Sequence, residues 1–363
     1  MRLGELCQIL DNKRVPITAS NRTAGIYPYY GANGVQDYVD GYIFDDELVL
    51  LAEDGGYFGS KDKPIAYRVS GKCWVNNHAH VLKPKDNINV DYLCYSLMYK
   101  DVTSIVNGAT RQKLTQADMK EIDIPMCPME EQLKIVKQIK QIFTLISLRK
   151  QQLAKLDELV KARFVELFGD PVNNSKGLPE LTLPELGEFG RGVSKHRPRN
   201  DPKLLGGKYP LIQTGEVANA ELYITNFENT YSELGLKQSK MWQAGTLCIT
   251  IAANIAKTAI LTFDACFPDS VVGFKANDKT NNIFIHYWFS FFQAILEAQA
   301  PESAQKNINL KILSELRIIV PPIEQQNEFV SFVEQTDKSK LAIQQSLDKL
   351  ETLKRALMQK YFG

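Results

Sequence analysis

One long helical pattern is written twice in this chain, and that duplication limits the possible architectures more than any local motif does. Pro128-Met129-Glu130-Glu131-Gln132 and Pro322-Ile323-Glu324-Gln325-Gln326 lie 194 residues apart, and the offset holds without a gap to Phe168-Gly169 and Phe362-Gly363. Along the way it pairs Val136 with Val330, Gln151 with Gln345, Leu156 with Leu350 and Ala162 with Ala356. Each copy follows a globular stretch, so the chain reads as residues 1–128, a helix over 129–169, residues 170–322 and a second helix over 323–363.

The helices explain their own limits. Pro128 stands where proline is tolerated, at a helix start, and Glu130 and Glu131 place negative charge at the positive end of the helix dipole. Apolar residues recur at Val136, Ile139, Phe143 and Ile146, the spacing of a coiled-coil seam. The stripe breaks at Arg149-Lys150-Gln151-Gln152, resumes at Leu153, Leu156, Val160 and Leu167, and ends at Gly169 ahead of Asp170-Pro171. In the second copy the seam is Ile343, Leu347, Leu350, Leu357 and Tyr361. Each is a rod of roughly 60 Å, more than a single domain buries, so the two are expected to pack together as an antiparallel coiled coil. Such a pairing carries an approximate two-fold axis, the local symmetry that dimeric DNA readers share with duplex DNA.

Composition bounds the rest. A chain of 363 residues with 44% hydrophobic and 10% aromatic content has room for two or three folded cores. The stretch from Phe284 to Leu296 is broken by His286, Ser290 and Gln293 and falls short of the roughly 18 apolar residues a membrane span needs. The opening Met1-Arg2-Leu3-Gly4-Glu5 shows no leader pattern, and a cytoplasmic, membrane-free protein is expected. Cys7, Cys73, Cys94, Cys127, Cys248 and Cys266 are scattered with no Cys-x-x-Cys pair, which points to buried thiols and not to zinc. With 43 Lys+Arg against 42 Asp+Glu and no strongly basic segment, nucleic-acid binding has to rest on local patches or on basic partner chains.

The globular segments resemble each other more weakly. Leu3-Gly4-Glu5-Leu6 aligns with Leu183-Pro184-Glu185-Leu186, Tyr27-Pro28 with Tyr209-Pro210, and Gly108 to Lys113 with Glu302 to Lys306. Short runs such as Leu48–Leu51, Ala66–Val69, Leu247–Ile251 and Ala259–Phe263 alternate with Gly, Asn and Asp turns, which predicts β-rich domains. The predicted fold class is α+β, two β-rich domains in tandem repeat separated by two long helices. Asp54-Gly55-Gly56-Tyr57-Phe58-Gly59 lacks the lysine of a nucleotide loop and reads as a tight turn. His78-Ala79-His80 has no Glu or third ligand spaced with it, so a polar strand face is expected and no metal.

Taken together, the duplicated Pro-x-Glu-x-Gln helix start, the Tyr27-Pro28-Tyr29-Tyr30-Gly31-Ala32-Asn33-Gly34 string, the Leu-x-Glu-Leu openings and the Gly108-Ala109-Thr110-Arg111-Gln112-Lys113 loop resemble the DNA-specificity subunit of type I restriction-modification enzymes. The resemblance covers the whole chain. It departs from a perfect repeat at Cys127-Pro128, against Pro321-Pro322, and at Leu211-Ile212-Gln213-Thr214-Gly215, where the first module has its Tyr-Tyr-Gly-Ala-Asn-Gly string. It implies that each globular segment is a target-recognition domain reading half of a split double-stranded DNA site. It also implies that the helices set the spacing and dock two methyltransferase subunits, to which restriction subunits can add. Catalysis, and S-adenosylmethionine, would belong to the methyltransferase, with no cofactor in this chain. The residues agree, for there is no Asn-Pro-Pro-Tyr, no Asp-Pro-Pro-Tyr and no Gly-x-x-x-x-Gly-Lys.

Candidate DNA contacts follow from residue chemistry. Lys195, His196, Arg197 and Arg199 crowd a loop-forming stretch, and Asn12, Lys13 and Arg14 hold a comparable place in the first module. Tyr29, Tyr30 and Asn33 combine aromatic faces with an amide, while Asn76, Asn77, His78 and Asn254 offer groups that pair with base edges. Arg111, Gln112 and Lys113, with Gln305 and Lys306 opposite, lie before each helix; Gln213 and Lys257 complete the set. A coiled-coil scaffold presenting two protein-binding domains would use the same repeat, and a self-contained DNA enzyme would need motifs the chain lacks.

Overall fold

The computed structural model describes residues 1–108, 112–252, 254–299 and 308–363. The chain divides into two compact units, Met1–Gln151 with Ile343–Gly363, and Gln152–Ala342. The boundary falls inside both long helices, so each unit is a globular module holding part of each.

The first unit opens with the short helix α1 (Leu3–Leu6), whose Leu3 and Leu6 are buried, and runs directly into β1 (Cys7–Ile9). A hairpin of β2 (Ala24–Gly31) and β3 (Gly34–Val39) follows, then β4 (Phe44–Ala52), β5 (Ala66–Val75) and β6 (Ala79–Pro84). The six strands form one sheet in the order β1-β6-β4-β5-β2-β3. Residues Leu48 to Ala52 of β4 are buried in succession because that strand has neighbours on both edges and α2 (Val90–Met98) against it. After α3 (Gln116–Lys120) the long helix α4 (Met129–Phe168) begins.

The second unit repeats this opening. A short β7 (Glu180–Leu181) leads to α5 (Leu183–Leu186), again with both leucines buried, and directly into β8 (Gly187–Arg191). The segment then adds β9 (Leu205–Leu211), α6 (Thr214–Asn219), β10 (Tyr223–Ile224), β11 (Asn229–Tyr231), α7 (Glu233–Lys237) and β12 (Met241–Trp242). Next come β13 (Leu247–Thr250), β14 (Thr258–Leu261), β15 (Ala265–Cys266) and β16 (Val271–Ala276). The predicted apolar stretch near Phe284 is the helix α8 (Asn282–Gln299), and α9 (Leu310–Glu315) and β17 (Ile318–Ile319) precede α10 (Ile323–Phe362). The strands make sheets ordered β10-β14-β13-β16-β8 and β11-β9-β15-β12, with β17 on β7.

Registers make the kinship of the modules concrete. The first residue after each opening helix pairs with the last of the closing strand, Cys7 with Pro84 and Gly187 with Ala276. One strand further in, Leu51 faces His80 and Ile249 faces Val272. Two different sequences thus build one sheet frame.

Within each unit the long helices run antiparallel. In the first, Lys150 pairs with Glu351 while Tyr361 donates its hydroxyl to Gln138, so later residues of α10 meet earlier residues of α4. In the second, Asp157 pairs with Lys340 and Arg163 with Glu328. The predicted seam residues Val136, Ile139, Ile146, Val160 and Leu347 are buried. Periodicity did not reveal Phe164 and Phe168, which pack among Phe284 and Phe329 in the second unit, or Phe362, whose ring meets Tyr92 edge-on at 5.1 Å. These rings lock helix to module.

Each helix is fastened by one glutamine. Gln132 and Gln326, at the same place in the repeat, are both 0% exposed. The Gln132 carboxamide oxygen accepts from the Asn89 backbone N–H at 2.9 Å, and its Nε2 donates to the carbonyls of Asn87 (3.3 Å) and Cys127 (2.9 Å). Asn89 itself caps α2 through Asp91 and Tyr92 N–H. Gln326 accepts from the Thr280 hydroxyl at 3.0 Å and donates to Lys279 O (3.1 Å) and Pro321 O (2.9 Å). The helix start is therefore bound to the turn ahead of each module's main helix.

His286 of α8 gives the second unit an acid-sensitive core. Burial pushes its imidazole down from the ordinary 6.5 to about 4, opposed by the Thr258 hydrogen bond and helped by nearby Lys340. A neutral form favoured by folding stabilises the unit above pH 6.5, and that stability is lost as pH falls from 6.5 toward 4. Allowing for the residue's partial exposure, the loss should be about 2 kcal/mol at pH 4. Urea unfolding of the wild type and a His286→Gln variant across this range checks it, with a flatter acid limb expected for the variant. Among the described residues no helix is long and apolar enough to cross a membrane. All six cysteines are free, and only Cys127 is not fully buried.

Candidate nucleic-acid interface

In the first module, sheet pairing gathers candidates that lie far apart in sequence. The turn after β1 holds Asn12 and Lys13, both exposed; Asn33 is exposed at the β2–β3 tip and donates to Gly55 O at 3.0 Å. The Asp54–Gly59 stretch is a loop, as expected, and Gly55 and Gly59 there have φ of +65° and +78°, which a glycine adopts without strain. Its Gly55 N–H donates to Gln112 O, and Asp54 bridges to Lys113. Asn77 is exposed, and His78 sits in a turn with Nδ1 2.7 Å from Asp54. These bonds bring Asn33, His78, Gln112 and Lys113 together beside exposed Asn77, and Asn12 and Lys13 precede Arg14, whose guanidinium reaches the Asn77 and Ala79 carbonyls.

Beside these residues lies a buried ionic junction that the sequence did not announce. His80 was expected on a polar strand face with no carboxylate near; instead its ring is 1% exposed, and Asp11 and Glu53 bring donor atoms within 4.8 Å. The carboxylates arrive through strand pairing, from positions that no sequence spacing connects to His80. They already have cations: Arg14 Nη1 reaches Glu53 at 2.5 Å and Lys113 Nζ reaches it at 2.9 Å. Burial alone would raise the Asp11 and Glu53 carboxyls. Hydrogen bonds from His80, Val81 N–H and Gln116 hold Asp11 below its usual range, and Arg14 and Lys113 do the same for Glu53.

This geometry turns some predicted contacts inward. Arg14 donates to Asp11 O at 3.0 Å, to Ala79 O at 2.8 Å and to Glu53, and its side chain is 13% exposed, so the guanidinium serves the module's interior. Tyr29 is 1% exposed, its hydroxyl donating to Ile17 O and accepting from Ile17 N–H, with Arg22 over its ring at 4.3 Å. Tyr30 is half-buried against Tyr67, and Asn76 is buried, accepting from His78 N–H and donating to Gln36. Arg22, which donates to Ile17 O, and the exposed Gln116, which donates to Asp11, are polar neighbours that residue chemistry did not single out. Arg111 lies outside the described residues, as do Gln305 and Lys306.

In the second module Lys195, His196, Arg197 and Arg199 are exposed on the loop after β8, as their chemistry suggests. Gln238 Oε1 accepts from the backbone N–H of Lys195 and His196, Arg197 and Arg199 share Asp269, and His196 pairs with Asp201 at 3.0 Å. One carboxylate against two guanidiniums leaves net positive charge beside exposed Lys195. Gln213 is exposed at the start of α6, and Asn254 and Lys257 occupy the β13–β14 turn around the buried Thr250 hydroxyl. Among the described residues no hydrogen bond or ion pair joins Gln213 to the cationic loop.

The family described as the type I restriction modification DNA specificity domain matches residues 1–158 and again 180–355. The chain belongs to that family. Among similar specificity-family chains, a Haemophilus influenzae chain provisionally named a type I restriction enzyme specificity subunit is 29% identical over 369 residues, 98% of this chain and 94% of its own. The EcoDI specificity subunit of Escherichia coli is 22% identical over 403 residues, 100% of this chain and 87% of its own. In three dimensions the S subunit from M. genitalium aligns at a TM-score of 0.63 and 14% identity, over 100% of this chain and 95% of that one. A chain from a study of assembly and conformational transition in a type I R-M system aligns at 0.59 and 17% identity, over 100% and 96%. These likenesses establish the shared fold of the specificity-family chain. The two matched segments agree with the duplicated frame seen in the strand registers.

Proposed function

We propose that the chain is the sequence-reading subunit of a type I restriction-modification complex, each module reading one half of a bipartite, asymmetric DNA site. The long helices space the modules and dock two methyltransferase subunits, to which restriction subunits add. The chain itself is not catalytic, and S-adenosylmethionine is bound by the methyltransferase. The observation that carries this reading is one sheet frame built twice under two different polar surfaces. An amide-rich turn cluster sits on the first module and an arginine-rich loop on the second, a pairing suited to two different half-sites. A complex of this kind works where DNA is, in the cytoplasm.

With a formal net charge of +1, the chain alone lacks the phosphate-neutralising charge of a tight autonomous binder. Co-expression with its methyltransferase should give a stable complex that retards duplex DNA in a sequence-dependent way, while the isolated chain binds weakly. Nanomolar, sequence-specific binding by the chain alone at physiological salt would contradict the reading.

A further inference from the structure

Both modules contain the same backbone junction. In the first, Glu53 N–H donates to His78 O (2.9 Å) and Leu114 N–H to Glu53 O (2.7 Å); in the second, Ile251 N–H donates to Ser270 O (3.0 Å) and Ile308 N–H to Ile251 O (3.0 Å). The registers already place His80 where the other module has Val272. The two junctions therefore differ in their filling. Ile251, Val272 and Ile308 make an apolar plug in the second, while Glu53 and His80 are ionic in the first.

Hydrogen bonding fixes the protonation of His80. Its Nε2 lies 2.9 Å from the Leu114 carbonyl, which can only accept. Its Nδ1 lies 2.6 Å from Asp11 Oδ2, which also accepts from Gln116, while Asp11 Oδ1 accepts from Val81 N–H. These donors, with Arg14 3.6 Å away, hold Asp11 in its ionised form, and a carboxylate can only accept, so both ring nitrogens of His80 act as donors. The ring is a buried imidazolium joining the turn at Asp11 to the segment at Leu114, with Glu53 3.6 Å away and bonded to Arg14 and Lys113.

We propose that His80, as this imidazolium, is a positioning residue for the first module alone: it ties the Asp11–Lys13 turn to the Lys113–Leu114 segment so that Lys13 and Lys113 meet DNA together. The second module holds the equivalent segments with its apolar plug. This rests on the proposed role of the modules as DNA readers. The ionic filling puts the cation Lys113 at the surface end of the junction, its side chain 51% exposed. The apolar filling leaves charge to the separate 195–199 loop.

The test uses the full chain with its methyltransferase. His80→Val, which imports the other module's residue, should weaken discrimination at the first half-site about tenfold or more and leave the second within about twofold. His80→Gln, which keeps N–H donors, should recover at least part of the first. Ring-nitrogen NMR of the isotope-labelled wild type should show both His80 nitrogens protonated. A neutral ring, a His80→Val complex that reads both halves like wild type, or a His80→Gln complex that loses both halves together would each overturn the proposal. If His80→Val does not fold, the glutamine variant and the NMR signature decide. Should the wild-type complex mark no bipartite site, the reading of the modules fails whatever the ring's protonation.

Discussion

Four residues inserted after Gln151, with four more after Gln345, are expected to lengthen the unread gap of the DNA site while both half-sites stay the same. The two positions are equivalent in the repeat. Four residues are just over one turn and add about 6 Å to each rod, against a rise of about 3.4 Å per base pair in B-DNA. The gap should therefore grow by about one or two base pairs. Because the insertion keeps close to the helical phase, the seam on either side of it remains apolar. The recognised sequence of such a variant, read by methylome sequencing, checks it: a changed half-site with an unchanged gap would mean that the helices do not act as the ruler.

Replacing Gln132 or Gln326 with leucine should have the next largest effect. Each substitution removes the three hydrogen bonds of a buried side chain and leaves a backbone N–H or a hydroxyl, and two carbonyls, short of a partner. At about 1 kcal/mol per net bond, and more for an orphaned buried group, the loss is about 3 kcal/mol. In a unit of this size that is a fall of roughly 6 to 12 °C in its melting temperature. Function should separate the two variants, since Gln132 fastens the first module to α4 and Gln326 the second to α10. Half-site one should blur in the first variant and half-site two in the second. Equal damage to both halves from either substitution would show that the joints do not act module by module.

The repeat carried most of the architecture because a long helix advertises itself through local periodicity. The strands over Leu48–Leu51, Ala66–Val69 and Leu247–Thr250 were legible for the same reason. The function of the repeated glutamine was not, since a polar residue at a helix start looks solvated until its partners at Asn87 and Asn89 are known. The Asp11–Glu53–His80 junction was invisible because sheet pairing, not sequence spacing, brings those residues together. Surface cations fared unevenly: Lys195 and Arg199 lie where a loop composition suggests, whereas Arg14, read by the same chemistry, is spent on Glu53 and Ala79 O. Residue type identifies a cation, but only the fold decides whether it faces water.

Exchanging residues 1–128 for the matching segment of a relative with a different recognised sequence is the most direct measurement, with the site read from the methylation pattern of a host that also carries the methyltransferase. The account predicts that one half of the recognised sequence is replaced and that the other half and the gap are kept. A hybrid that changes both halves, or neither, would contradict independent reading by two modules on a shared helical frame.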